Sequence, residues 1–193
     1  MAALSKAFDE ALVWATRQHA EQTRHNTNTP YISHLLATAA IVLEEGGDET
    51  LAVAALLHDV LEDQPTSRAE LRARFGEDVY RVVDDCTDAD LGARAGSSWR
   101  DRKVSHVERM TGFDDRSLLV IAADRVCSLQ SLLDDLDRFG PGLFEHSARS
   151  GAELLWSYRE VLAVLTPRLG GRPVIGRLRR LVDDLAARQA PCR

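Results

Sequence analysis

Four ionisable residues crowd the end of the run AALLHDVLED at positions 54–63: His58, Asp59, Glu62 and Asp63. Burying carboxylates and imidazoles is costly unless partners compensate them. On a helix, Asp59 and Glu62 stand i,i+3, while His58 and Glu62, and likewise Asp59 and Asp63, stand i,i+4, so all of them share one turn. Like charges that close raise one another's proton affinity. A divalent cation removes the conflict, because it neutralises carboxylates and accepts a neutral imidazole. The competing interpretation is a helix that simply emerges into water here.

Two further segments bear on the choice. TPYISH places His34 one turn into a segment lined by Ile32, Leu35, Leu36, Ala39 and Ala40, where a lone histidine can also be a satisfied core residue. SLLVIAADRVCSL embeds Asp124 in the most apolar run of the chain, where it needs a backbone group, the neighbouring Arg125 or an ion as partner. Asp124, Ser128 and Ser131 follow one another at i, i+4, i+7 on one face. Taken together, His34, His58, Asp59 and Asp124 form a mixed nitrogen and oxygen donor set. Such a set suits Mn²⁺ or Fe²⁺ better than a tetrahedral structural zinc, and it leaves octahedral positions for water and substrate, as metal-assisted hydrolysis requires.

The elements that must position these residues are helices. Helical periodicity predicts helices over about 4–23, 31–45, 49–63, 98–111, 115–137, 146–168 and 174–189. Pro30 is suited to open the second of these, and Gly46, Gly47 and Asp48 separate it from the third. The 49–63 segment is apolar on every side, which predicts a central, buried helix. TSRAELRARFG and EDVYRVVDDCT read as two short helices, the first capped by Ser67 and Glu70 and ended by Gly76. DADLGARAGSS carries glycines and no periodicity, and is expected to be the most flexible stretch. No convincing strand pattern stands out. The fold class expected is all-α, one domain over 1–189 with a frayed tail at 190–193.

The bulk properties limit the partners. The chain has 193 residues, 45% hydrophobic and 28% charged, an ordinary globular balance for one domain. No apolar run approaches the roughly 20 residues of a membrane span, and the amphipathic N-terminus does not read as a signal peptide. The formal net charge of −6 sets the whole-molecule field against nucleic acid, so an anionic ligand needs a local basic pocket. Cys86, Cys127 and Cys192 are odd in number and lack a zinc spacing, which points to a reducing cytoplasm and to small core residues at 86 and 127.

The order His34, then His58–Asp59, then Asp124 resembles the H…HD…D signature of HD-superfamily metal-dependent phosphohydrolases. TRHNTNTPYISH, AALLHDVLED, RFGEDVYRVVDDCTD and IAADRVCSL are similar to consecutive motifs of its guanosine polyphosphate 3′-pyrophosphohydrolase branch, over roughly residues 5–165. That resemblance implies a single HD-domain helical bundle in which His34, His58, Asp59 and Asp124 bind Mn²⁺. It implies that Glu62 and Asp63 orient and deprotonate the attacking water. It places Arg24 against the guanine and Tyr31 beside the pocket, and makes Arg102 and Lys103 candidates for the phosphates, with Arg100 as a further basic neighbour. Three positions depart from the family pattern. His25 stands where a second basic residue is usual, Ser128 stands in place of an asparagine, and Tyr158 is the nearest candidate for a pocket tyrosine. The implied activity is removal of the 3′-diphosphate from ppGpp or pppGpp, a small-molecule nucleotide. The alternatives are hydrolysis of another nucleotide (a different purine alarmone, NADPH or a nucleoside monophosphate) and a nucleotide-binding sensor without turnover.

Overall fold

The structure, a computed structural model, describes residues 4–24, 27–89, 96–144 and 149–189. Its α-helices are α1 (Lys6–Gln18), α2 (Ile32–Glu44), α3 (Glu49–Leu57), α4 (Val60–Asp63), α5 (Arg68–Cys86), α6 (Trp99–Met110), α7 (Asp115–Phe139), α8 (Gly151–Leu169) and α9 (Pro173–Gln189), with a 3₁₀ turn at Pro141–Phe144. The only β feature among the described residues is an isolated bridge between Thr23 and Pro30. The all-α class expected from periodicity therefore holds.

α3 is the hub. Every residue from Leu51 to Leu57 is buried, as a helix apolar on all sides requires. It packs against α1, α2, α5 and α7, while α8 and α9 cover the outer side of α7. The helix starts follow the sequence signals. Asp48 accepts the Leu51 N–H at 3.0 Å and Ser67 the Glu70 N–H at 3.1 Å, each satisfying a donor that the first turn leaves without a partner.

Two expectations need correction. The 49–63 segment is not one helix: it breaks at His58–Asp59, and α4 restarts from the Asp59 carbonyl, which accepts the Asp63 N–H at 2.9 Å. The cause is local. The His58 imidazole folds back to bond the Ala55 carbonyl at 2.8 Å, and Asp59 sits at φ −96°, ψ −3°, between helix and turn. By contrast, the two short helices expected on either side of Gly76 are both present within the span of α5. They meet at Gly76, whose φ of 83° and ψ of 171° put a sharp kink between them. α1 also stops at Gln18, short of residue 23, because the chain turns through His19–Gln22 to start the loop before α2.

That loop is pinned at both ends. The Arg24 N–H donates to the Thr29 carbonyl at 2.8 Å, and the Tyr31 N–H to the Gln22 carbonyl at 3.0 Å. Most of the stretch expected to be flexible, the start of the 146–168 helix and the 190–193 tail lie outside the described residues. Cys86 is buried and Cys127 half-buried, both as free thiols. No described helix is long and apolar enough to cross a membrane.

Candidate functional site

α2, the α3–α4 break and α7 bring His34, His58, Asp59 and Asp124 to one point. The Nε2 atoms of His34 and His58 lie 3.2 Å apart. Asp59 Oδ2 is 3.4 Å from His34 Nε2 and 3.2 Å from His58 Nε2, and Asp124 Oδ1 is 3.3 Å and 3.7 Å from the same atoms. The break in the helix makes this possible, since on an unbroken helix adjacent side chains point about 100° apart and do not face each other.

The protonation pattern follows from the hydrogen bonds. A carbonyl only accepts, so His58 Nδ1 carries a hydrogen toward Ala55 and Nε2 is the nitrogen that faces the cluster. His34 Nδ1 is buried without a hydrogen-bond partner among the described residues. Two imidazole nitrogens and two carboxylates thus converge on a space that demands positive charge. Burial opposes charging His58, yet Asp59 and Asp124 hold its pKa well above the usual imidazole value. Burial likewise opposes ionising the carboxylates, but His58 holds Asp59, and Arg125 together with the histidines holds Asp124, well below the usual carboxylate range. His34, His58 and Asp59 have ligand atoms close enough to hold one metal ion, and Asp124 reaches the same nitrogens.

The remaining predicted residues surround this point. Tyr31 donates its hydroxyl to Asp59 Oδ2 at 2.5 Å, and burial followed by the Asp59 charge pushes its pKa upward. Ser128 donates to Asp124 Oδ1 at 3.0 Å, and Arg125 Nε lies 3.5 Å from Asp124 Oδ2. Glu62 accepts the Asp88 N–H at 2.6 Å, and burial with the Asp88 charge raises its pKa to about 7, suited to accepting a proton near neutrality. Asp63 accepts from Gln22 Nε2 at 2.8 Å. Lys103 donates to Asp88 at 2.5 Å, with Arg102 Nε 4.0 Å from the same carboxylate, so both basic residues stand on the Glu62 side of the cluster. Arg100 turns instead to the Trp156 ring, 4.0 Å from its centroid. Tyr158 is buried, its pKa pushed up to about 12 by that burial. His25 lies outside the described residues.

A cleft of about 480 Å³ opens beside His34 between α2 and α7, with Arg24, Cys127, Ser131, Arg138 and Arg177 in its walls. This volume is in the range that takes a small ligand. Arg24 also lies over the Tyr31 ring, 5.6 Å from its centroid. Sequence reasoning missed Gln22, Gln64 and Asp88. The two glutamines are uncharged, Gln22 near the end of the predicted 4–23 helix and Gln64 just past the 49–63 one, and Asp88 is hidden among the acidic residues around the end of α5.

The HD domain family model matches residues 11–140. The chain is 37% identical over 159 residues to the "Probable GTP pyrophosphokinase" of Mycobacterium leprae; this covers 81% of the chain but only 18% of that longer protein. It is 36% identical over 141 residues to human guanosine-3′,5′-bis(diphosphate) 3′-pyrophosphohydrolase MESH1, covering 71% of the chain and 74% of the relative. Xenopus tropicalis MESH1 is 35% identical over 126 residues, covering 64% and 68%. Among solved structures, a metazoan ortholog of SpoT described as hydrolysing ppGpp superposes over the whole of both chains with a TM-score of 0.74 at 24% identity. The lmo0812 protein of Listeria monocytogenes EGD-e does so with 0.70 at 25%, over 79% of this chain and 97% of that one. The chain belongs to the HD domain family and, within it, to the guanosine polyphosphate 3′-pyrophosphohydrolase branch.

Proposed function

We propose that this protein is a metal-dependent hydrolase that removes the 3′-diphosphate from ppGpp or pppGpp. The observation that carries the proposal is the convergence of His34, His58, Asp59 and Asp124, whose facing donor atoms lie 3.2–3.7 Å apart. These residues fit a divalent cation: the fixed His58 ring presents Nε2, and the carboxylates supply compensating charge. The donor set favours Mn²⁺, with Fe²⁺ as the chemical alternative. When bound, such a cation polarises a phosphoryl oxygen and makes nearby water more acidic.

The protein's own groups supply the rest. Water attacks the phosphorus joined to the 3′ oxygen, and that P–O bond breaks. Glu62 or Asp63 takes a proton from the water, and the departing 3′ oxygen ends protonated. Glu62 is suited to the task by its raised proton affinity. Arg102 and Lys103 hold the phosphates, exchanging Asp88 for substrate oxygens. Arg24, already over an aromatic face, offers its guanidinium plane to the purine. Tyr158 lies buried within electrostatic reach of Asp124 and Arg24, and His25, next to Arg24 in the sequence, adds a pH-dependent positive charge.

A second reading keeps the chemistry and changes the nucleotide. It is favoured by Ser128, whose hydroxyl is engaged with Asp124 and so is not spent on a sugar or base. Product analysis separates the two. Purified protein with Mn²⁺ is expected to release diphosphate from ppGpp and pppGpp, and to release nothing in EDTA. Turnover of NADPH or a nucleoside monophosphate without turnover of either guanosine polyphosphate establishes the second reading. Nucleotide binding without product from any member of the panel establishes a sensor and overturns both.

A further inference from the structure

Gln22 follows α1 and carries no charge, yet every polar group of its side chain is engaged. Nε2 donates to Asp63 Oδ2 at 2.8 Å. Oε1 accepts from Gln64 Nε2 at 2.7 Å and lies 2.7 Å from His19 Nδ1, which is itself 3.2 Å from Gln64 Nε2. The amide orientation is thereby determined: a flipped amide would aim its oxygen at a carboxylate and its N–H groups at donors. The backbone of Gln22 works on a second target. Its carbonyl accepts the Tyr31 N–H, and the Tyr31 ring stacks on His19 with centroids 5.2 Å apart.

Beside this arrangement lies a polar cleft of about 440 Å³ lined by Gln22, Asp63 and Gln64 together with Arg17 and Glu21. Water there competes for the Asp63 carboxylate, and an aspartate has only two side-chain torsions to hold it in place. The Gln22 amide opposes that loss of direction. It fixes one carboxylate oxygen, Oδ2, by a directed hydrogen bond.

We propose that Gln22 is a positioning residue that holds the Asp63 carboxylate in the orientation needed to take a proton from the attacking water, with Gln64 and His19 locking its amide. The proposal rests on the assignment of Asp63 to proton transfer made above. Gln64 and His19 touch only the amide oxygen, so they act one step further out.

The test uses the full chain with Mn²⁺ and ppGpp, and compares Gln22→Leu, Gln22→Glu and Asp63→Asn with the wild type. Gln22→Leu keeps the main-chain bond to Tyr31, so bound metal per chain and the thermal midpoint are expected to stay at wild-type values. Its kcat is expected to fall about 10- to 100-fold with KM changed less than about threefold, because misaimed catalytic groups lose rate rather than binding. The acid limb of its kcat–pH profile moves upward, and Gln22→Glu, which puts a second carboxylate against Asp63, moves it further. Wild-type kcat and pH profile in Gln22→Leu overturn the proposal. So does a loss of kcat matched by a drop in thermal midpoint that Gln22→Glu shares without any shift of the pH profile. Wild-type turnover by Asp63→Asn removes the underlying assignment instead, and is read without reference to Gln22.

Discussion

Each donor in the proposed metal-ligand cluster other than His34 is held by a second group, and removing a holder tests the cluster without removing a proposed ligand. Asp59 is held by the Tyr31 hydroxyl, His58 by the Ala55 carbonyl and Asp124 by the Ser128 hydroxyl. Outer partners of this kind typically change metal affinity or activity about 10- to 100-fold. Tyr31→Phe keeps the ring against His19 and Arg24 and removes only the hydroxyl. It is expected to weaken Mn²⁺ binding about tenfold in a titration, with the fold unchanged by circular dichroism. Asp124→Asn is the harsher test, since an amide offers an oxygen without the charge that balances the cation. It is expected to abolish stoichiometric Mn²⁺ in the purified protein and to reduce hydrolysis by about a thousandfold or more. Retention of metal by that variant would remove Asp124 from the ligand set. At this scale the sequence was informative where residues are ionisable. His58 and Asp59 announced themselves by spacing, and Asp124 by being charged in an apolar run. Gln22, Gln64 and Asp88 did not, because their roles depend on contacts between distant parts of the chain that no local pattern encodes.

The same contrast holds among the elements. Periodicity located every long helix, since a buried stripe must recur at the helical repeat. It failed where local contacts override it, at the end of α1 and within the 49–63 segment. VAALLHDVLED reads as unbroken helix, but the His58 ring takes a backbone carbonyl and the chain turns at Asp59. That break is what allows consecutive residues to reach one point. At Gly76 the sequence placed the interruption correctly, and two short helices meet there across a kink. Gly76 adopts φ 83°, ψ 171°, a region essentially restricted to glycine, and a Cβ there would meet no atom within 4 Å. Gly76→Ala is therefore a test of backbone strain alone. It should lower unfolding free energy by about 1–3 kcal/mol in urea while leaving kcat and KM near wild type. A neutral result would mean that α5 can straighten without disturbing the wall it forms against α3 and α7.

On the scale of the whole molecule, a formal net charge of −6 coexists with a site proposed to bind polyanions, so local fields must outweigh the global one. Lys103, one of the groups proposed to do so, lies with Arg109 and Arg125 near a buried histidine, His106. His106 is 1% exposed and bridges α6 to the end of α5 by donating Nε2–H to the Asp85 carbonyl at 2.8 Å. Burial first, and then the Arg125 charge, lower its pKa from 6.5 to about 4. The folded protein therefore binds this proton less readily than the unfolded chain. Its contribution is complete above about pH 6.5 and is lost as pH falls from there toward about 4. At about 1.4 kcal/mol per unit, this loss reaches about 2 kcal/mol by about pH 5. Asp59 and Asp124, whose pKa values are lowered by folding, take up protons in acid as well, so the comparison must isolate one group. His106→Gln retains a side-chain N–H donor for the Asp85 carbonyl but does not titrate. The variant is expected to be less stable than wild type at about pH 7.5, where it packs less well, and to lose about 2 kcal/mol less on transfer to about pH 5. Urea unfolding of both proteins in EDTA at the two pH values measures that difference directly. Equal losses would show that the His106 proton is not excluded by folding, and that α6 is held to α5 by a bond that tolerates charge.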